Sequence, residues 1–276
     1  MGYSAIIAGM LAPYLARWNL IPDGEPIITF NSILQPVYDG QVAAMLKIAT
    51  IEEERQGAAL MVWWDGEGAA RVLAHEGDAL LMERIVGEGS LVEMAQHGRD
   101  DEASYIICAV AAKLHTPRHH TLPRLHPLPD WFVALEPAAA RHGGVLRLAA
   151  STARVLLAEP RDVVVLHGDI HHGNILDSGS RGWLAIDPKG LIGERGFDFA
   201  NLFCNPDLGV ATAPGRLARQ ATVVAHAVGL SRVRLLQWVL AYAGLSAAWY
   251  LDNGGNPELP NLFAVAELAA MELTTP

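Results

Sequence analysis

At 276 residues, 51% of them hydrophobic, the chain is long enough for a sizeable core in two lobes and too apolar to be disordered. Acidic residues outnumber basic ones 30 to 20, for a net charge of -10, which argues against a nucleic-acid binder and suits a small cationic partner. Two isolated cysteines, Cys108 and Cys204, form neither a close metal pair nor a disulfide framework, and a reducing cytoplasm is the natural setting.

In chain order, Ala5 to Leu15 is apolar, short and without a preceding basic residue, so it reads as an amphipathic helix and not a signal peptide. No run reaches bilayer-spanning length. Between 27 and 50 the sequence alternates between apolar strands and turns: Ile27-Ile28-Thr29-Phe30, then Asn31-Ser32-Ile33-Leu34, then Gln35-Pro36-Val37-Tyr38, with Asp39-Gly40 as a hairpin turn. Ala43 to Ile48 is a strand carrying one lysine, Lys47, and Glu52-Glu53-Glu54-Arg55 opens a helix running toward Trp63. Ala79 to Ile85 is a strand that enters the glycine-bearing Val86-Gly87-Glu88-Gly89. Asp101 to His115 has helical spacing, and Thr116 to Pro129 is a proline-rich loop. The apolar runs Val163 to Leu166 and Trp183 to Ile186 read as strands joined through the turn Ser178 to Gly182. Helices are expected over Ala218 to His226, Arg232 to Tyr250 and Glu258 to Leu273.

The most informative stretch is Leu166-His167-Gly168-Asp169-Ile170-His171-His172-Gly173-Asn174, followed by Ile186-Asp187. His-x-Asp, four residues, then Asn matches the catalytic-loop pattern of kinases, with Gly168 where those enzymes carry Arg. Phosphoryl transfer is mostly positioning and charge neutralisation, so it needs one carboxylate near the acceptor hydroxyl and oxygen ligands for magnesium. Asp169 suits the first role, orienting the hydroxyl as a base. Asn174 and Asp187 suit the second, because a hard cation prefers amide and carboxylate oxygens. His167 is read as a support of the loop backbone. A rival reading makes His167, Asp169, His171 and His172 a zinc cluster.

On these residues the chain resembles the aminoglycoside phosphotransferases, which share the protein-kinase-like fold, and within them the streptomycin 6-phosphotransferases. The likeness runs over nearly the whole chain. It includes Met45-Leu46-Lys47, Trp63-Trp64-Asp65-Gly66, Leu80-Leu81-Met82-Glu83-Arg84, Arg181-Gly182-Trp183-Leu184-Ala185-Ile186-Asp187-Pro188 and Gly244-Leu245-Ser246-Ala247-Ala248-Trp249. It implies an α+β, bilobal fold, with a small β-rich nucleotide-binding lobe over 1–84 and a larger, mostly helical catalytic and substrate-binding lobe over 85–276.

The resemblance also assigns roles. Lys47 holds the α- and β-phosphates of ATP, and Glu54 is its acidic partner. Ser32, in a short loop that replaces the glycine-rich nucleotide loop, meets phosphate or is an ordinary hairpin residue. Met82 is the gatekeeper, and backbone groups near Glu83 and Ile85 hydrogen-bond adenine. Asp198 accepts hydrogen bonds from the catalytic-loop backbone. Lys189 either meets phosphate or faces solvent. Asp207, Asp252 and Glu258 are candidates for guanidinium contacts. Trp238, Trp249 and Tyr250 are read as core residues. The implied activity is ATP- and Mg²⁺-dependent phosphorylation of the 6-hydroxyl of streptomycin, a small cationic aminocyclitol, with no nucleic acid, membrane or obligate protein partner. Two alternatives stand beside it: a kinase of the same fold acting on another aminoglycoside, a hydroxyurea-like compound or a metabolite, and a non-catalytic nucleotide-binding regulator.

Overall fold

Strand alternation decides which side chains of the N-terminal sheet reach the cleft. The computed structural model describes residues 3–259 and 261–274. After helix α1 (Tyr3–Arg17) come β1 (Leu20–Pro22), β2 (Ile27–Ile28), β3 (Ser32–Asp39), β4 (Val42–Ala49), α2 (Glu52–Trp64), β5 (Val72–Glu76) and β6 (Ala79–Glu83). The strands form one antiparallel sheet in the order β1-β3-β4-β6-β5, with β2 also on β3. Successive residues face opposite sides of a sheet. Ala44, Leu46 and Ile48 of β4 and Ala79 and Leu81 of β6 therefore pack with Ile7 and Leu11 of α1 in one core. Leu80 and Met82 face the other way and join Ala58 and Met61 of α2 in a second core. Lys47 shares that second face, which lines the cleft.

The remaining chain is mainly helical: α3 (Leu91–Gln96), α4 (Asp100–Leu114), a short β7 (His126–Pro127), α5 (Leu128–Trp131), α6 (Leu135–His142) and α7 (Gly144–Ala158), then β8 (Val163–Leu166), β9 (Ile175–Asp177), β10 (Trp183–Ala185) and β11 (Leu191–Glu194), and last α8 (Leu208–Ala211), α9 (Arg216–Val228), α10 (Arg232–Asp252) and α11 (Ala264–Thr274). Helix α10 is apolar nearly all round because it is central, packing against α6, α7, α9 and α11. At Gly244 a Cβ would stand 2.4 Å from Ala149 Cβ, so glycine allows α10 and α7 to touch.

Three local expectations need correction. The turn at 179–181 closes a hairpin of β9 with β10, and β8 instead pairs antiparallel with β11, Leu166 opposite Leu191. The stretch 128–158, given no helix from sequence, holds α5, α6 and α7; the latter buries Leu146, Ala149, Ala150, Ala153 and Leu156 at helical spacing. The last helix begins at Ala264 and not at Glu258, since the Asn256-Pro257 and Leu259-Pro260 steps disfavour helical backbone before each proline. No single helix among the described residues is long and apolar enough to cross a membrane.

Candidate active site

The β8–β9 loop and the β10–β11 loop meet because β8 and β11 are paired and because Ile186 N–H donates to Asn174 C=O at 2.9 Å. Gly168 has φ +86°, and a Cβ there would lie 2.9 Å from Leu191 Cδ1 and 3.0 Å from Lys189 Cβ. The arginine usual at this point of the pattern has no room here.

The loop is clamped from below by Asp198, which is 1% exposed. Its carboxylate accepts from His167 N–H (2.9 Å), from Gly168 N–H (2.7 Å) and from His115 Nε2 (2.7 Å). A buried carboxylate with three donors is satisfied. The His167 ring is wholly buried and stacked on Trp64. Its Nδ1 accepts from Asp169 N–H at 3.2 Å, so its proton sits on Nε2 and is donated to Ile186 C=O at 2.8 Å. Burial holds this imidazole below its ordinary pKa and keeps it neutral.

With both His167 nitrogens spent, the zinc reading fails. His171 Nδ1 accepts from Gly173 N–H, and His172 lies buried 3.8 Å from Asp100. No group of three or more His, Cys, Asp or Glu suited to a metal occurs among the described residues.

Asp169 is oriented by neutral donors. Asn201 Nδ2 donates to Oδ1 at 2.7 Å, and Asn174 Nδ2 donates to the Asp169 carbonyl at 2.9 Å and to Oδ2 at 3.2 Å. Asn205 in turn donates to the side chain and the backbone carbonyl of Asn201, fixing that amide. Because Asn174 spends its NH₂ on Asp169, its Oδ1 is left for the cleft that the residue lines.

Asp187 adopts a left-handed backbone, φ +62°, at the end of β10. Its carboxylate contacts the ammonium groups of Lys47 and, at 3.4 Å, Lys189. Burial raises its pKa, but the two cations outweigh burial and hold it well below the ordinary carboxylate range. Lys47 also pairs with Glu54 of α2, both side chains being buried. Helix α2 rests directly on the Asp187 loop: a Cβ on Gly57 would stand 2.1 Å from Pro188 O.

These groups line one cavity of about 340 Å³. It collects Ser32, Lys47, Glu54, Met82, Asn174 and Asp187, all candidates from sequence. Ser32 N–H and Oγ bond to Thr29 Oγ1 at 3.0 and 2.9 Å, and Phe30, 96% exposed, stands at the rim. Glu83 is partly committed elsewhere: its N–H bonds Arg71 C=O at 2.9 Å, and its carboxylate takes Arg71 N–H and the Arg181 guanidinium. Ile85 makes no backbone hydrogen bond among the described residues. Asn174 and Asp187 suit magnesium by donor chemistry, an amide and an ionised carboxylate on the wall of one cavity.

The substrate candidates Asp207, Asp252 and Glu258 do not line this cavity. Asp207 caps α8 and accepts from Gln96, Asp252 pairs with Arg141, and Glu258 is on the surface. Sequence reading passed over Asn201, His115 and Tyr242, and set Glu53 aside in favour of Glu54. Tyr242 makes no side-chain hydrogen bond among the described residues, and its pKa is raised by burial and then by the Asp169 charge. Its ring continues edge-on to Trp249 and from there to Trp131, both half-buried rather than sealed in the core.

A β-rich N-terminal part, a helical C-terminal part and a catalytic loop beside a lysine-bearing cleft define a bilobal protein-kinase-like phosphotransferase fold. The chain belongs to the family described as aminoglycoside/hydroxyurea antibiotic resistance kinases, which it matches over residues 17–254. It is 52% identical to a streptomycin 3''-kinase of Klebsiella pneumoniae, over 87% of this chain and 92% of that protein. It is 32% identical to a streptomycin 6-kinase of Streptomyces griseus, over 96% and 91%. Among solved structures, a thermostable mutant of aminoglycoside phosphotransferase APH(4)-Ia, in ternary complex with AMP-PNP and hygromycin B, superposes with a TM-score of 0.64 at 12% identity, covering 95% of each chain.

Proposed function

We propose that this protein transfers the γ-phosphoryl group of ATP to a hydroxyl of streptomycin and so inactivates the antibiotic. The observation that carries the reading is the convergence of Asn174, Asp187 and the Lys47–Glu54 pair on one cleft, with Asp169 hydrogen-bonded to Asn174. These intact groups also argue against a non-catalytic regulator.

Lys47, held by Glu54, neutralises the phosphates that remain on the nucleotide. Adenine lies against Met82, with the hinge near Arg84 and Ile85 as the boundary between lobes and the Ile85 backbone as its hydrogen-bonding partner. Asn174 Oδ1 and the Asp187 carboxylate would hold Mg²⁺, which supplies charge neutralisation on the phosphate oxygens when bound. Asp169 accepts the hydrogen bond of the acceptor hydroxyl, orients it for in-line attack and takes its proton. The two asparagine amides keep that carboxylate aimed without neutralising it. The half-buried Trp249 and Trp131 offer aromatic faces on which a guanidinium can stack. The net charge of -10 favours approach of a cationic substrate. Dependence on ATP fits a cytoplasmic enzyme.

The acceptor hydroxyl is better supported as 3'' than as 6. The 52% identity to a 3''-kinase outweighs the 32% identity to a 6-kinase, against the 6-hydroxyl expected from the resemblance. A hydroxyurea-like acceptor is the second reading, carried by the family's description. The test is to incubate the protein with Mg-ATP and streptomycin, other aminoglycosides or hydroxyurea, and to locate the phosphate by phosphorus–proton NMR. A phosphate on the 3''-oxygen is expected. A 6-phosphate overturns the regiochemistry, and transfer to hydroxyurea alone overturns the substrate.

A further inference from the structure

The cleft contains a second buried cation that the mechanism above does not use. We propose that Lys189 is a catalytic residue that contacts the phosphoryl group in flight, while Lys47 grips the phosphates that stay behind. This rests on the phosphotransferase reading and deepens it.

Lys189 is built into the site. Its N–H donates to His167 C=O at 2.7 Å, tying its backbone to the catalytic loop. The next residue, Gly190, has φ +66°, and a Cβ there would stand 3.0 Å from Gln56 Cβ, so α2 closes over the segment. The side chain is 13% exposed and lines the cavity. Its ammonium lies 3.2 Å from Glu54 Oε1, 3.4 Å from Asp187 Oδ2 and 3.6 Å from Glu53 Oε1.

At two of these carboxylates the counterion role is shared with Lys47. Lys47 already pairs with Glu54 through Oε2 and with Asp187 through Oδ1. Lys189 takes the opposite oxygen of each carboxylate, so the two ammonium groups flank Asp187 from two sides. They differ in what lies beyond. Lys47 comes from the sheet, whereas Lys189 springs from the segment bonded to the catalytic loop, and its ammonium also feels the Asp169 charge. The phosphoryl group travels from a nucleotide held at Asp187 to a hydroxyl held at Asp169. A cation 3.4 Å from Asp187, on a segment bonded to the catalytic loop, stands beside that path.

In the step, the bond between the γ-phosphorus and the β–γ bridging oxygen breaks as the acceptor oxygen bonds to phosphorus. The acceptor proton passes to Asp169, and ADP leaves with the bridging oxygen. Charge spread over the equatorial oxygens is where a fixed ammonium acts most strongly.

The test compares the parent protein with Lys189→Met and Lys189→Arg. Steady-state kinetics with streptomycin are measured beside equilibrium binding of ADP and of ADP with aluminium fluoride, a mimic of the transferring group, all with Mg²⁺. For Lys189→Met, kcat should fall ~10²–10³-fold, the scale of one lost transition-state donor, while ADP affinity changes by less than about threefold. The ADP–aluminium fluoride complex should weaken by about 10²-fold, and arginine should restore part of both losses. Unchanged kcat, or equal losses of ADP and ADP–aluminium fluoride affinity, would overturn the proposal and leave Lys189 a counterion. If the methionine variant does not fold, Lys189→Gln carries the same comparison. Because the fluoride complex needs no acceptor, a parent protein that binds it but phosphorylates no aminoglycoside defeats the substrate reading without touching Lys189.

Discussion

Asp187 on the wall of the cleft and Asp169 bonded to Asn174 keep opposite company. Asp187 is wrapped by two ammonium groups and held firmly ionised. Among the described residues Asp169 receives only amide donors, from Asn174 and Asn201. In the proposed reaction Asp187 holds a cation beside the phosphates and has to be anionic throughout, and neighbouring positive charge ensures it. A carboxylate that accepts a proton has to be aimed yet remain basic, and a direct salt bridge would remove that basicity. One end of the site is thus built from charge and the other from orientation.

The largest effect should come from breaking the second kind. Asp169→Asn retains shape and removes the base, so kcat should fall by ~10²–10⁴ while nucleotide affinity is preserved. Asp187→Asn should instead weaken Mg-nucleotide binding itself. Calorimetry of both variants with Mg-AMP-PNP separates the two. If Asp169→Asn lost nucleotide as badly as Asp187→Asn, the division of labour between the carboxylates would be refuted.

A third carboxylate sharpens the comparison, because it is charge-paired but remote from the chemistry. Asp100 accepts two hydrogen bonds from Arg216 and one from Gln220, all buried, and His172 of the catalytic loop lies beside it. Burial raises its pKa, but the His172 and Arg216 contacts prevail and bring it down to about 2. Since the folded pKa lies below the unfolded one, its stabilisation is complete above the ordinary aspartate value near ~3.9 and fades as pH falls toward about 2. Asp100→Asn should cost about 3–5 kcal/mol at neutral pH, the cost of orphaning a buried Arg. Urea unfolding should show that difference shrinking between about pH 4 and about pH 2. An offset independent of pH would mean that Asp100 acts by shape alone.

How much of this was legible in the sequence follows the same division. Asp169, Asn174, Asp187 and Lys47 stand out because each combines a chemical type with a fixed spacing or strand context. The surrounding amides do not. Asn201 bonds Asp169 across 32 positions of chain, and nothing local marks an asparagine as an orienting group. Asp207, Asp252 and Glu258 were chosen for charge, and charge without topology is a poor guide: the structure gives Asp207 to a helix cap and Asp252 to Arg141. The β8–β11 pairing was likewise hidden, because a four-residue apolar strand does not announce its partner. Gly57 and Gly168 carried a signal that could have been read. A glycine inside a helix, or in place of arginine in a catalytic loop, marks close backbone approach.

The smallest effect expected is the most discriminating for the orientation end. Asn201→Ala removes a neutral donor from Asp169 Oδ1 and touches no phosphate ligand. The carboxylate keeps its Asn174 contacts but can rotate, so fewer turnovers begin with the oxygen aimed at the hydroxyl. A single lost hydrogen bond to a charged group is worth ~1.5–3 kcal/mol, which predicts a fall in kcat of roughly 10- to 100-fold. KM for ATP should remain within about twofold, because uniform nucleotide binding is not involved. An Asn201→Ala protein with the parent kcat would show that Asp169 needs no amide on that side, and the contrast between its surroundings and those of Asp187 would lose its meaning.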